Sequence, residues 1–229
     1  MNSQEIMSDD EQATEILSEE SQPQEESNYS DVDSSAGGTD DNLRNFGGVI
    51  AVCALLALFG GQTFVWWNLE IDMGEFLGEV EMGYGTDEVH AKVGSEDEST
   101  AYDDAESGYD EVDSFFSTLK MMLYALVICG AGLAYMGHSG EKTEFSAKVI
   151  AVAGLLSVII LLYVFFSLPS AFNDDTDGVL SGGEDVSYFY SDDGFDATFG
   201  LGMLLPLVSL GICGYMVKDR GITLEDITG

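Results

Sequence analysis

Residues 147–168 read AKVIAVAGLLSVIILLYVFFSL. Beyond Lys148 the stretch runs twenty residues without a charge, and about 20 apolar residues are what a helix needs to cross a hydrocarbon core roughly 30 Å thick. Three further runs share this character, at about 46–69, 115–137 and 199–217. Four such runs, separated by loops too polar to cover them, predict four transmembrane helices rather than a soluble globule. The first is not a cleavable signal, because some 45 residues precede it and it is longer than an apolar signal core.

Working outward, the seven cations set the orientation. Arg44 precedes the first run, Lys142 lies in and Lys148 just after the short connection at 138–146, and Lys218 and Arg220 follow the fourth, so five of the seven share one side, the others being Lys92 in the first large loop and Lys120. The positive-inside rule then puts both termini and that connection in the cytoplasm of a cell-membrane protein. Lys120, one to two turns inside the second run, snorkels toward the headgroups on this reading. Trp66 and Trp67 are expected in the outer aromatic belt, with Tyr163 near the same level and Tyr135 and Tyr215 near the inner one. Pro206 is expected to kink the fourth helix. Small residues (Gly130 with Ala134, Ala147 with Ala151, Gly211 with Gly214) are expected at helix contacts.

The formal net charge is −35, from 42 acids against seven cations. A surface so acidic excludes nucleic acid as a partner. Thirteen acids lie in residues 1–45 with a single cation, Arg44, and such a tail has too little apolar content to offset its ordering entropy. A disordered cytoplasmic tail is expected there, and a short cytoplasmic one at 218–229. Sixteen acids fall in the first outer loop (about 70–114) and eight in the second (169–198), which points to a saline or cation-rich exterior; since the tail on the other side is acidic too, general halophilic adaptation is the alternative to a device of the outer face. Within the first loop, Glu79–Met82 and Glu88–Val93 alternate polar with apolar residues around the turn-forming Gly83, Gly85 and Asp87, predicting a β-hairpin. Val186–Tyr190 is a third β-prone piece, and 94–113 is expected to be mobile. The fold class expected is therefore all-α membrane, a four-helix bundle with a small outer hairpin or sheet.

Residues 173–184, Asn-Asp-Asp-Thr-Asp-Gly-Val-Leu-Ser-Gly-Gly-Glu, resemble the twelve-residue EF-hand calcium loop. The resemblance implies oxygen ligands from Asn173, Asp175, Asp177, the Val179 carbonyl, Ser181 and a bidentate Glu184, with Gly178 at the sharp turn. Asn173 stands where the motif has its first Asp. An unliganded acidic turn is the alternative.

No Asp, Glu, Arg or His lies within the four runs, and nucleophile elbows, HExxH, CxxC, P-loop and dinucleotide fingerprints are missing from the sequence. The three cysteines fall inside the apolar runs, where they read as small packing residues. The chain is accordingly expected not to be an enzyme and to have no small-molecule substrate.

The order of parts resembles the claudin and peripheral-myelin-protein type of tetraspan: a larger first outer loop opening on Trp66-Trp67-Asn68-Leu69, a very short inner connection and a smaller second outer loop. That family's two loop cysteines have no counterpart here. The resemblance implies a left-handed four-helix bundle capped by a small sheet, acting through lateral or cell-surface contacts. The function expected is structural or interaction-based, with cation binding (Ca²⁺ foremost) at the outer face and membrane proteins or further copies of the chain as partners. The alternative is an accessory subunit of a transporter or channel, whose acidic loops collect cations at its mouth.

Overall fold

The computed structural model describes residues 40–72, 74, 78–102, 108–140, 144–177, 185–192 and 194–228. Most of the acidic amino-terminal tail, and the second half of the calcium-like segment, lie outside them. Four helices are long and apolar enough to cross a membrane: α1 (Asp41–Phe59), α2 (Asp110–Ser139), α3 (Glu144–Thr176) and α4 (Leu204–Asp219). Each packs on the next, and α4 closes back on α1. A short α5 (Leu224–Thr228) follows and packs on α3.

Local chemistry fixes the ends. Asp40 caps α1, its carboxylate accepting from the Leu43 N–H at 3.0 Å, so helix begins at 41, inside the stretch expected to be disordered. Burial works to raise the Asp40 pKa, but the Leu43 amide and the Arg220 guanidinium outweigh it and hold the carboxyl below its ordinary value. Arg220, just after α4, is ion-paired with Asp40, which ties the carboxy-terminal segment to the start of α1. Gly140 adopts φ +67° at the end of α2, the left-handed conformation that stops a helix and that glycine adopts without strain. Pro206 lies in the first turn of α4, where its missing N–H has no helical acceptor to lose, so the expected mid-helix kink has no basis. Pro169 is the proline inside a helix, α3, which continues past it to Thr176.

The interface of α1 with α2 rests on glycine. A Cβ at Gly130 would lie 2.6 Å from the Ala51 nitrogen and 2.8 Å from the Gly47 oxygen, while one at Gly47 would meet the Ala134 nitrogen at 2.5 Å. Gly211 and Gly214, by contrast, face open space within the chain. They make none of the helix contacts expected of them. Around the glycine seam Ile50, Leu119, Leu123, Leu126, Ile150, Ile160 and Val164 are fully buried.

The expected small sheet is six-stranded and antiparallel throughout, in the order β4-β3-β2-β1-β6-β5. Its strands are β1 (Trp67–Asp72), β2 (Glu79–Tyr84), β3 (Glu88–Val93), β4 (Glu96–Ala101), β5 (Ser191–Asp192) and β6 (Phe195–Phe199). The β2–β3 hairpin is as expected. Three other expectations are corrected. The first apolar run does not continue as helix to residue 69: α1 ends at Phe59, Gly61 turns the chain at φ +50°, and Trp67 begins the central strand. Of the stretch 94–113 expected to be mobile, residues 96–101 form a strand and 110–113 begin α2, while 103–107 lie outside the described residues. The third β piece is 191–199 rather than 186–190, since Val186 and Tyr188 instead turn inward and are buried.

Every second residue of β1 (Trp67, Leu69, Ile71) is buried, so this face of the sheet sits on the helices. Trp66 and Trp67 are fully buried rather than in an aromatic belt. Trp67 stacks on Tyr188 and meets Phe172 of α3 edge-on, and its indole N–H donates to the Tyr188 carbonyl at 3.1 Å. Tyr102 stacks on Phe116 of α2. Polar ties join the same layers: the Thr86 hydroxyl donates to the Leu58 carbonyl at 2.9 Å, and the Lys120 ammonium lies 2.6 Å from Asp87 Oδ1. Lys120 thus reaches a definite carboxylate on the β2–β3 turn.

Candidate functional site on the exposed face of the sheet

Asn173 and Asp175 lie on the last turns of α3, and residues two apart on an α-helix point about 200° from each other. Both side chains serve backbone. Asn173 accepts from the Val186 N–H and donates to the Val186 carbonyl, each at 2.9 Å. Asp175 accepts from the Glu111 and Val112 amides, again at 2.9 Å each, and so caps α2, whose own preceding residue, Tyr109, makes no side-chain cap. Two of the first four helical N–H groups, which a helix leaves without internal acceptors, are satisfied by a carboxylate more than sixty residues away. Asp177 follows at φ +51°. Val179, Ser181 and Glu184 lie outside the described residues. Among the described residues no three His, Cys, Asp or Glu side chains converge as a metal group.

The concentrated chemistry lies on the sheet face turned away from the helices. Pairing fixes its rows. Asp196, Glu70, Glu81, Lys92 and Asp97 follow one another directly across β6, β1, β2, β3 and β4. The next row reads Thr198, Asn68, Gly83, His90 and Ser99 in the same strand order. On the other side Asp72 stands opposite Glu79. Like charges placed directly opposite destabilise a sheet, and Glu70 has acids on both sides. Lys92 relieves one neighbour, its ammonium lying 3.1 Å from Glu81 Oε2.

Above these rows is a trough of about 400 Å³, whose lining includes Gln62, Asn68, Glu70, Glu81, His90, Lys92 and Asp97. Gly83 keeps its floor low: a Cβ there would come within 3.0 Å of Val65 Cγ1. His90 is only 8 % exposed, yet neither ring nitrogen makes a hydrogen bond. Its Nε2 lies 3.4 Å from Glu88 Oε1, an ion pair when the ring is protonated. On the sheet's inner side, burial first and neighbouring tyrosines second push the Tyr84 and Tyr102 phenols well above their ordinary pKa.

The sequence carried signals for this face. Trp67-Asn68-Leu69-Glu70-Ile71-Asp72 alternates apolar with polar over six residues, the period of a half-buried strand. Its first residues merge with the preceding apolar run, and that hides the alternation. Gly94-Ser95 between Val93 and Glu96 is a two-residue hairpin turn. The strand it opens, Glu96–Ala101, is exposed throughout, so no apolar period marks it. Compared with known proteins, the chain matches no family model and no curated protein sequence.

Proposed function

We propose that this chain is a non-enzymatic multi-pass membrane protein whose sheet-bearing end faces the cell exterior, collects cations and makes contacts with partner proteins. The observation that carries the reading is the acid row fixed by strand pairing on the exposed face of a sheet seated on four membrane-length helices. The distribution of cations supports the orientation. Arg44, Lys148, Lys218 and Arg220 belong to the ends of α1, α3 and α4 remote from the sheet, where Asp40 meets Arg220, and cationic ends stay on the cytoplasmic side. Within the bundle the buried polar side chains include Ser157 and Ser209, whose hydroxyls donate to carbonyls four residues earlier; this use in packing supports a contact role over a transport pathway. The larger sheet-bearing connection between α1 and α2 agrees with the claudin-type layout, and lateral or cell-surface contacts are the role that layout favours.

A calcium ion taken by 173–184 would draw Asp175 off the α2 amides and Asn173 off Val186, so occupancy and capping of α2 oppose each other. Titration with Ca²⁺ at fixed ionic strength should then be abolished by Glu184→Gln and untouched by Glu106→Gln; equal small effects would remove calcium from the proposal.

Single cysteines placed at the exposed Thr100, Ser191 and Thr223 in a background lacking Cys53, Cys129 and Cys213 test the whole reading. Labelling of intact cells at 100 and 191 but not at 223 is expected, and the reverse pattern would overturn it. Co-purification in mild detergent then identifies the partners. Cation flux through the reconstituted chain alone, lost on neutralising loop acids, would instead favour the channel or transporter role.

A further inference from the structure

We infer that the trough over β1–β4 is a binding site for a small organic cation carrying N–H donors, an alkylammonium or a guanidinium group. The inference rests on the proposed outward, cation-collecting role of the sheet and gives that role a ligand class and a place.

Two independent observations meet there. The first is the acid row. Glu81 is already engaged by Lys92 at 3.1 Å, which leaves Glu70 and Asp97 to face the trough. That ion pair is itself an ammonium held by a carboxylate of this row, within the same strand geometry that would hold an exogenous one. The second is His90, buried to 8 % exposure with neither nitrogen hydrogen-bonded. A neutral imidazole presents one acceptor and one donor; Glu88 Oε1 stands 3.4 Å from Nε2, which leaves Nδ1 as the buried nitrogen with no partner at all, a costly state. A ligand N–H would satisfy the acceptor.

The same features select the ligand class. An anion would meet three carboxylates and one ammonium along the lining. A hard ion such as Ca²⁺ or Mg²⁺ takes oxygen ligands in a closed shell, and an imidazole is no part of it. A transition ion could use His90, but no three His, Cys, Asp or Glu groups converge among the described residues, and directly opposed side chains stand about 4.5–5.5 Å apart at Cβ. The trough, about 400 Å³, falls in the range of small-molecule sites, roughly 300–1,000 Å³. Val65, over Gly83 at one wall, offers an apolar surface for methylenes between charged ends. Agmatine, with a guanidinium and an ammonium on one short chain, is therefore a suitable probe.

The experiment uses the full chain in mild detergent with His138→Gln, so that His90 gives the sole imidazole signals. Agmatine is titrated at constant ionic strength, with Na⁺ and Mg²⁺ as references. A saturable shift of the His90 resonances by agmatine alone is expected. Glu70→Gln and Asp97→Asn should each weaken it about tenfold, and Glu225→Gln, near the remote carboxy terminus, should leave it unchanged. Glu70→Gln removes the acid flanked by two others, so it should fold at least as stably as the parent; stability retained with binding lost separates ligation from misfolding. A shift that follows ionic strength whichever cation supplies it would overturn the site, as would a saturable shift insensitive to Glu70→Gln. Labelling of a cysteine at position 97 from outside intact cells distinguishes the two levels. A sheet face that is not external sinks the functional reading, whereas an external face without saturable agmatine binding sinks the site alone.

Discussion

Replacing Gly130 with alanine tests what holds α1 to α2. The added Cβ would lie 2.6 Å from the Ala51 nitrogen and 2.8 Å from the Gly47 oxygen. Both are backbone atoms, which no rotamer change can move aside. Ordinary contact begins at 3.4 Å, so α1 must retreat by about 0.8 Å, and a gap of that size forfeits about a quarter to a half of each dispersion well along the seam. Overpacking of this kind costs about 1–3 kcal/mol, offset by up to about 1 kcal/mol from the better helix propensity of alanine. A net loss of about 1–2 kcal/mol is expected. Gly132, two residues along the same helix, has open space around its would-be Cβ, so Gly132→Ala gains propensity with no clash and should be neutral or mildly stabilising. Reversible unfolding of both variants in mixed detergent micelles gives the comparison. Equal stability of the two would refute the glycine seam as the origin of the α1–α2 approach.

Asp175→Ala leaves the Glu111 and Val112 amides without their acceptor, and by analogy with N-cap losses should cost about 1–2 kcal/mol, read as unfolding free energy together with faster amide exchange in the first turn of α2. Tyr84 and Tyr102 have folded pKa values raised by burial above the unfolded value of 10.0, so their contribution is whole below pH 10 and is lost as pH rises beyond it. The fall should approach about 1.4 kcal/mol per pH unit for each tyrosine that ionises only on unfolding, and both phenols should stay protonated in the native protein by ultraviolet absorbance. Asp40 has the opposite sign: its depressed folded pKa gives stability present above the unfolded value of 3.8 and lost as pH falls through the folded one. Acidification through that depressed folded value, like Asp40→Asn, should therefore free α5, as followed by amide exchange in residues 222–228.

What the sequence revealed and what it hid have distinct physical causes. The four helices were legible because an apolar run of membrane length has few alternatives, and the β2–β3 hairpin because alternation and turn residues agreed. The end of α1 was obscured because Gly60-Gly61 sits between two stretches that are both apolar, and composition does not distinguish a helix from a buried strand across such a join. The tryptophans followed from that join: placed on a helix end they read as interfacial, placed on β1 they close the core. At 173–184 the spacing of oxygen side chains follows the EF-hand pattern, but spacing measures no secondary structure. With α3 intact to Thr176, Asn173 and Asp175 are turned to different partners. The exposed-face row depended on register. His90 and Glu70 are twenty residues apart, and only the pairing of β1 with β2 and of β2 with β3 brings them to adjacent rows.

Register also bounds how far salt can stabilise the protein. Most of the 24 acids in 70–114 and 169–198 can turn their side chains away from one another, and an exposed charge free to move contributes little. The pairs that cannot separate are those set opposite by hydrogen-bonded strands: Glu70 with Asp196, Glu70 with Glu81, and Asp72 with Glu79. Two unit charges about 6 Å apart in water repel by about 0.7 kcal/mol, so the three pairs amount to about 2 kcal/mol before screening, and Lys92 offsets part of it at Glu81. Screening lengths of about 10 Å at 0.1 M and about 3 Å at 1 M then predict a gain of about 1–2 kcal/mol between low and molar salt. Glu70→Gln, which removes two of the three repulsions, should capture most of that gain at low salt and leave the variant with a much flatter salt dependence. A salt response equally steep in Glu70→Gln would place the strain in the diffuse charge of the loops, and the row would then be no more than their local share of it.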